Sequence, residues 1–205
     1  GHVVVVWGYD EAREVFFVTD TGRTEIMEVP FSAMREARHR SSSFFDMKGN
    51  LFAPEGIAPP ERLAEIVRKA IVHNSTVILD HSQAYQGVRG LDTWLGELSG
   101  WRDFPDWQWV CRFTYQVIER RGTGGGGFRL MYADFLEEGA ALLGEVASLK
   151  LPEKMLALGR AWQDLARALK DASERDRPEL TEVGAKLHLV RDLEEAFHRD
   201  AVTMA

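Results

Sequence analysis

Cysteine is nearly absent from this chain, because Cys111 is the only one among its 205 residues. A single thiol excludes an internal disulfide and any zinc site built from several cysteines, and it agrees with a reducing compartment. Long apolar runs are missing too, since no stretch approaches the roughly 20 residues that span a bilayer. The amino terminus also lacks the pattern of a signal peptide. We therefore expect a cytoplasmic protein without membrane contact.

Runs of basic residues are also missing. The 25 Lys and Arg residues are scattered among 32 Asp and Glu residues, and the formal net charge is -7. Such a charge opposes binding to a phosphate backbone, so we expect no nucleic-acid partner. The 45% hydrophobic content suffices for one large domain or two small ones.

Three short apolar segments open the chain: "VVVVW" ends at Gly8, "VFFVTD" follows a polar turn, and "RTEIMEVP" alternates in polarity. This pattern predicts a three-stranded antiparallel meander. The first two segments are apolar on both sides, so the sheet needs cover on both faces. If half of the cover is missing, we expect a homodimer through the sheet or its edge strands.

Helical periodicity replaces the strand pattern after Pro30. Long amphipathic helices are predicted over 128–149, 153–172 and 179–202, with shorter ones upstream. The segment 104–122 is apolar nearly all round, which predicts a centrally buried helix. An aromatic cluster in and just before this segment is expected in the core or at an interface: Trp101, Phe104, Trp107, Trp109 and Phe113. The predicted fold is α+β and mostly α, with a meander in domain 1–45 and a helical bundle in domain 46–205.

His2 and Asp20 form the first candidate site. His2 precedes one predicted strand and Asp20 ends the next, so a short turn between antiparallel strands would bring both to one end of the sheet. There a carboxylate can orient an imidazole for acid–base chemistry with a thiol nucleophile. The alternative is an incidental terminal histidine, even a cloning scar, and an aspartate that only forms a turn.

A glycine run forms the second candidate site, in "GTGGGGFRLMYADF". Gly124, Gly125, Gly126 and Gly127 lead into a predicted helix, followed by Arg129. Backbone amides at a helix start, with an added guanidinium, suit a phosphate, carboxylate or thioester oxygen. The spacing matches neither a P-loop nor a dinucleotide fingerprint. The alternative is a flexible connection between helices.

Two further signals carry less chemistry. Glu195 and His198 lie three residues apart, as in di-iron bundles, but a solvated helix end is expected there and no metal site. Cys111 lies within the apolar segment 104–122, where a thiol acts as a small hydrophobic side chain rather than a nucleophile.

The stretches "HVVVVWGYD" with "VTD" and "GTGGGGFRLMYADFLEEGAALLG" carry a resemblance that covers nearly all of the chain. The chain resembles the carboxy-terminal two-thirds of the butirosin biosynthesis protein H family, papain-like proteins of antibiotic and peptide biosynthesis. The resemblance implies that His2 is the catalytic histidine, that Asp20 is its acidic partner, and that 1–45 is part of a papain-like sheet. The glycine motif belongs to the helical domain that follows.

The resemblance also implies acyl transfer. The best known member moves an acyl group from the pantetheine thioester of a carrier protein to an amine, so a carrier protein or a small amine is the implied partner and no cofactor is tightly bound. Family members carry a nucleophilic cysteine upstream of the histidine, where this chain starts, so the 205 residues alone are expected to be inert. Thr21 follows Asp20, where the family often has proline. The other hypothesis is a helical module that binds a ligand or a carrier protein without chemistry.

Overall fold

The structure is a computed structural model that describes residues 3–20, 23–41, 46–56 and 60–205. The chain divides into two compact units, Gly1–Pro59 and Pro60–Ala205, here called the sheet unit and the helical unit. Residues 46–56, predicted as part of the helical domain, fall within the sheet unit.

The sheet unit contains the predicted meander. Strands β1 (Val5–Asp10), β2 (Val15–Thr19) and β3 (Met27–Pro30) form an antiparallel sheet in the order β1-β2-β3. The first turn forms because the Asp10 carboxylate accepts hydrogen bonds from the amides of the turn residues Ala12 and Arg13. Helix α1 (Phe31–Arg38) follows β3 directly. Its first residue, Phe31, packs its ring 4.5 Å from that of Phe16.

The apolar side chains of the sheet are mostly exposed. Val18 is the one buried residue among the described residues of this unit. On β1, Val5 and Trp7 are 57% and 70% exposed. Because the first two strand segments are apolar on both sides, the sequence predicted two sheet faces that need cover. Within this unit, α1 contacts β3, whereas the apolar side chains of β1 stay exposed.

Seven α-helices build the described part of the helical unit. They are α2 (Leu63–Leu79), α3 (Gly87–Glu97), α4 (Trp107–Glu119), α5 (Arg129–Leu142), α6 (Gly144–Ser148), α7 (Leu151–Ser173) and α8 (Thr181–Val202). The prediction of an α+β, mostly α chain with a meander followed by a helical bundle is confirmed. The predicted helix 128–149 is interrupted, because Leu143 adopts an extended backbone (φ -134°, ψ 102°) before Gly144. Glycine favours such a break, since it is a poor helix former.

Helix α7, and not α4, is the centre of the bundle. Eleven residues of α7 are buried, and α4, α5 and α8 pack around it. On α4 only Cys111 and Ile118 are buried, so the prediction of a centrally buried helix is wrong. The physical reason is that α4 is apolar on two sides but packs through one. Its other side exposes Trp109, Phe113 and Val117, which lie four residues apart.

Candidate functional site

The structure gives only half of the predicted catalytic pair. His2 lies outside the described residues. Asp20 comes directly after β2, and Thr19 pairs with Val5, so Asp20 lies at the sheet end where β1 begins. Its carbonyl oxygen accepts a hydrogen bond from the amide of Arg23 at 3.3 Å. The pairing of Asp20 with His2 therefore stays a prediction.

The glycine run is a tight, left-handed segment. All four residues, Gly124 to Gly127, have positive φ angles between 56° and 85°, which glycine adopts without steric cost. The segment runs against the α7 backbone, because a Cβ added at Gly126 would come within 2.8 Å of the carbonyl oxygen of Gly159. Close approach of two backbones, as well as turn geometry, therefore explains glycine at this position.

An internal carboxylate uses part of the predicted anion site. The amide of Gly126 donates to Glu119 Oε1 at 2.9 Å, and Arg129 directs its guanidinium towards Glu194. The structure does bring the glycine run and Arg129 together, since Arg129 Nη1 donates to the carbonyl oxygen of Gly127 at 2.6 Å. Binding of an external anion to the remaining amides stays a prediction.

Arg129 and Glu194 form a buried ion pair between α5 and α8. Arg129 Nε and Nη2 lie 2.7 and 2.6 Å from Glu194 Oε1, and the Glu194 side chain is 1% exposed. Trp162 of α7 donates its indole N–H to the same oxygen at 2.7 Å. The guanidinium also lies over the Trp162 ring, 5.0 Å from its centroid, which adds a cation–π attraction.

His198 and Ser75 extend this network to α2. Glu194 Oε2 lies 3.1 Å from His198 Nε2, and His198 Nδ1 lies 3.0 Å from Ser75 Oγ. A carboxylate only accepts hydrogen bonds, so this partner assigns a hydrogen to Nε2; in the neutral imidazole Nδ1 then accepts from the Ser75 hydroxyl. Ser75 is completely buried. It therefore orients the imidazole and is not placed to attack a substrate.

The prediction of a solvated helix end at Glu195 and His198 is wrong. His198 is 4% exposed and pairs with Glu194, four residues earlier on the face of α8 that packs into the bundle. Glu195 lies about 100° further round the helix and pairs instead with Arg191 and Arg199. The signal that would have revealed the network is the polar pair at i and i+4, on the face that also carries buried Leu187, Val190 and Ala201.

The network keeps Glu194 ionised. Burial alone would raise the pKa of Glu194, but the hydrogen bond from His198, the charge of Arg129 and the hydrogen bond from Trp162 outweigh it. The pKa of this carboxyl group therefore lies below its ordinary value. For Cys111, by contrast, burial raises the pKa of the thiol, as expected of a packing residue.

Two cavities adjoin the network, and Arg129 and Ile78 line both of them. The first, the Trp94 cavity, has a volume of about 250 Å³, and its walls include Tyr85, Trp94, Trp162 and Glu194. The second, the Tyr132 cavity, has a volume of about 340 Å³, and its walls include Asn74, Phe128, Tyr132, Met155 and His198. The predicted residue Arg129 thus lies at the junction of two spaces that the sequence did not indicate.

Trp94 lines the first cavity and Tyr132 the second, and each has a buried polar atom without a hydrogen-bond partner among the described residues: Trp94 Nε1 and the Tyr132 hydroxyl. Burial raises the pKa of the Tyr132 hydroxyl, and the nearby Asn74 side chain opposes that rise without forming a well-aligned hydrogen bond. Buried polar groups in proteins are almost always paired, so these two atoms distinguish the cavities from packing defects.

The family model for the domain of unknown function DUF4872 matches residues 32–201. The chain belongs to the DUF4872 family. The match includes every helix of the DUF4872 domain that contacts the two cavities, and it leaves out β1, β2 and β3. Comparison with curated proteins and with solved structures gives no match.

Neither a metal site nor a membrane-spanning helix is found among the residues of the DUF4872 domain and the sheet that the structure describes. No group of three or more His, Cys, Asp or Glu side chains is arranged to hold a metal ion there. The described helices likewise include none with the length and apolar character needed to cross a bilayer.

Proposed function

We propose that the helical unit binds a small, mostly apolar molecule in the Tyr132 cavity. The observation that carries the proposal is Tyr132, which lines a cavity of about 340 Å³ and whose buried hydroxyl forms no well-aligned hydrogen bond with a described residue. A largely apolar space with a few convergent polar groups is the usual form of a ligand site. This proposal makes the helical unit a binding module.

The walls of the cavity define the ligand further. Val77, Phe128 and Met155 supply apolar surface, whereas Tyr132 and Asn74 supply hydrogen-bonding groups. Because burial raises the pKa of the Tyr132 hydroxyl, it stays protonated at neutral pH and can donate to an acceptor oxygen. An acyl group matches this description, with its carbonyl oxygen at Tyr132 and its chain along the apolar wall.

Calorimetric titration with N-acetyl-S-octanoylcysteamine, a simple acyl thioester, tests the proposal. We expect saturable binding, weakened about fivefold by Tyr132→Phe, because one hydrogen bond contributes about 1 kcal/mol. Tyr115→Phe is the matched control, since the Tyr115 hydroxyl accepts a hydrogen bond from Arg120 and lies outside the cavity. An unchanged affinity in Tyr132→Phe, or no binding by the unmodified protein, would refute the proposal.

A second candidate function is cysteine-dependent acyl transfer in a longer protein. It is supported by the resemblance and by the position of Asp20 at the sheet end where β1 begins. An upstream thiolate would take the acyl group from the pantetheine thioester of a carrier protein. His2 would protonate the leaving thiol and later deprotonate the acceptor amine, while Asp20 would hold the imidazole.

This second candidate is tested in a protein that includes the upstream cysteine. Mass spectrometry would follow loss of the acyl group from the carrier protein and its appearance on an amine. We expect His2→Ala to abolish transfer, whereas His39→Ala, which removes an exposed histidine of the same unit, should leave the rate unchanged. Equal rates in the two variants would remove His2 from the mechanism.

A further inference from the structure

We propose that the Trp94 cavity is a second ligand site, which takes a small, planar, uncharged molecule through an acceptor oxygen that faces Trp94 Nε1. This site differs from the proposed acyl-binding site in its cavity and in its unpaired polar group, and the two cavities share Ile78 and Arg129 in their walls. The proposal rests on hydrogen bonding, charge and shape, taken in turn.

Hydrogen bonding comes first. Trp94, on α3, has its indole nitrogen buried without a partner among the described residues. An indole N–H only donates, so it needs an acceptor. Glu194 is the carboxylate in the cavity wall, yet it already receives four N–H donors: two from Arg129, one from Trp162 and one from His198. Three of these donors meet Glu194 Oε1 and one meets Oε2, and none of them is Trp94 Nε1. The Trp94 indole N–H therefore remains an unpaired donor in a residue of the cavity wall.

Charge comes second. The Arg129 guanidinium and the Glu194 carboxylate both line the cavity and neutralise each other at 2.6 Å. A charged ligand would lose its hydration without gaining a counter-ion. The unused N–H groups of Arg129 also favour an oxygen acceptor over a cation. These groups select an uncharged molecule with a carbonyl oxygen.

Shape comes third. The aromatic residues Tyr85, Trp94 and Trp162 line the cavity, and the Trp94 ring stacks on that of Trp101 with the centroids 5.7 Å apart. A volume of about 250 Å³ is smaller than the range of about 300–1,000 Å³ typical of drug-sized ligands. A single ring that carries a carbonyl group fits these limits.

The test uses three probes of nearly equal shape: benzamide, benzoate and benzylammonium. Two-dimensional ¹⁵N–¹H spectra of the intact chain report on the indole N–H of Trp94, assigned through its proximity to the Trp101 ring. We expect benzamide to move this resonance downfield and saturably, with at least tenfold weaker binding of the two charged probes. Trp94→Phe should weaken benzamide binding at least tenfold, whereas Trp109→Phe, which alters an exposed ring outside the cavity, should not change it.

Three results would overturn the proposal. The first is a Trp94 resonance that stays in place up to the solubility limit of benzamide. The second is benzylammonium or benzoate binding as tightly as benzamide, which would contradict selection of an uncharged acceptor. The third is a Trp94→Phe variant that keeps the wild-type affinity. If that variant fails to fold, the titration of the unmodified chain decides alone.

Discussion

The sheet unit and the helical unit solve the problem of apolar surface in different ways. The helical unit wraps its helices around α7 and so buries a continuous core of its own. The sheet unit has three strands and one short helix, and Val18 is buried alone among its described residues. Three strands covered on part of one face do not bury enough surface for independent stability. The difference indicates that the helical unit folds by itself, whereas the sheet depends on further cover.

The largest expected effect concerns the ion pair within the helical unit. Glu194→Gln should reduce the free energy of unfolding by about 4 kcal/mol, because it leaves the Arg129 charge without its buried partner. Glu195→Gln, one residue along, should cost less, about 1 kcal/mol, because Arg199 is exposed and Arg191 keeps its ion pair with Asp92. Urea unfolding measures both values. Equal losses of unfolding free energy in the two variants would show that burial does not make the Glu194 ion pair stronger than that of Glu195.

A matched pair of truncations compares the two units directly. Leu165→Ala should cost about 3 kcal/mol, because Leu165 is fully buried in α7. In the dilute, monomeric chain, Val5→Ala should change stability by no more than about 0.5 kcal/mol, because Val5 is 57% exposed on β1. Thermal and urea unfolding supply the two numbers. A costly Val5→Ala change would mean that the sheet face is covered in solution.

The next largest effect on stability is expected from alanine substitutions in the glycine run. Gly126→Ala should cost about 2 kcal/mol, because alanine at φ +58° is strained and its Cβ would press on the Gly159 carbonyl oxygen. Gly122→Ala is the control, since its φ is also positive but its added Cβ meets nothing within 4 Å. Urea unfolding should therefore separate strain alone from strain with a clash. Identical costs would remove the close-approach argument.

Lowering the pH should reduce the contribution of Glu194 to the free energy of unfolding, and this effect is expected to be smaller than those of the substitutions above. The folded-state pKa of Glu194 lies below the ordinary value of 4.5, so its contribution is present above pH 4.5 and is lost as the pH falls through the lower, folded-state pKa. The difference in unfolding free energy between the unmodified chain and Glu194→Gln should therefore shrink as the pH is lowered from 5. Urea titrations at several pH values measure it. A constant difference would contradict a lowered pKa.

The smallest effect on stability, but a clear effect on assembly, is expected at the sheet. We propose that two chains associate through β1 and its exposed apolar side chains. Trp7→Lys, at a ring that is 70% exposed, should leave the unfolding free energy of the dilute monomer within about 0.5 kcal/mol but convert dimers to monomers at higher concentration. Light scattering across a concentration series measures the mass. A monomer at every concentration in the unmodified chain would exclude the dimer.

Local pattern was enough to predict most of the fold. The strand segments near Val5 and Val15 and the helical spacing around Leu158 and Leu165 reflect side-chain periodicity, which depends on neighbours in the sequence. The sequence did not indicate the helix break at Leu143, because an apolar residue before glycine fits the helical periodicity of apolar residues. The sequence did not indicate the central position of α7, because helical periodicity shows which helix faces are apolar but not which of them pack against another helix.

The candidate site was harder to predict for the same reason. Arg129 stands out beside the glycines, but its carboxylate partner lies 65 residues away on another helix. Only packing brings Glu194, Trp162 and Ser75 together, so no spacing in the sequence marks them. The Glu194–His198 pair was within reach, because four residues separate two polar side chains on an otherwise apolar face.

The contact between the glycine run and α7 has a consequence for protein engineering. Gly159 faces the loop without a side chain, and a Cβ there would come within 2.7 Å of Leu130 and 3.3 Å of Arg129 Cβ. Two glycines on separate segments therefore set the distance at which Arg129 enters the junction of the two cavities. Enlarging either one would shift the guanidinium and reshape both cavities together. The pair offers a single adjustment point for the two proposed ligand sites without a change to a wall residue of either cavity.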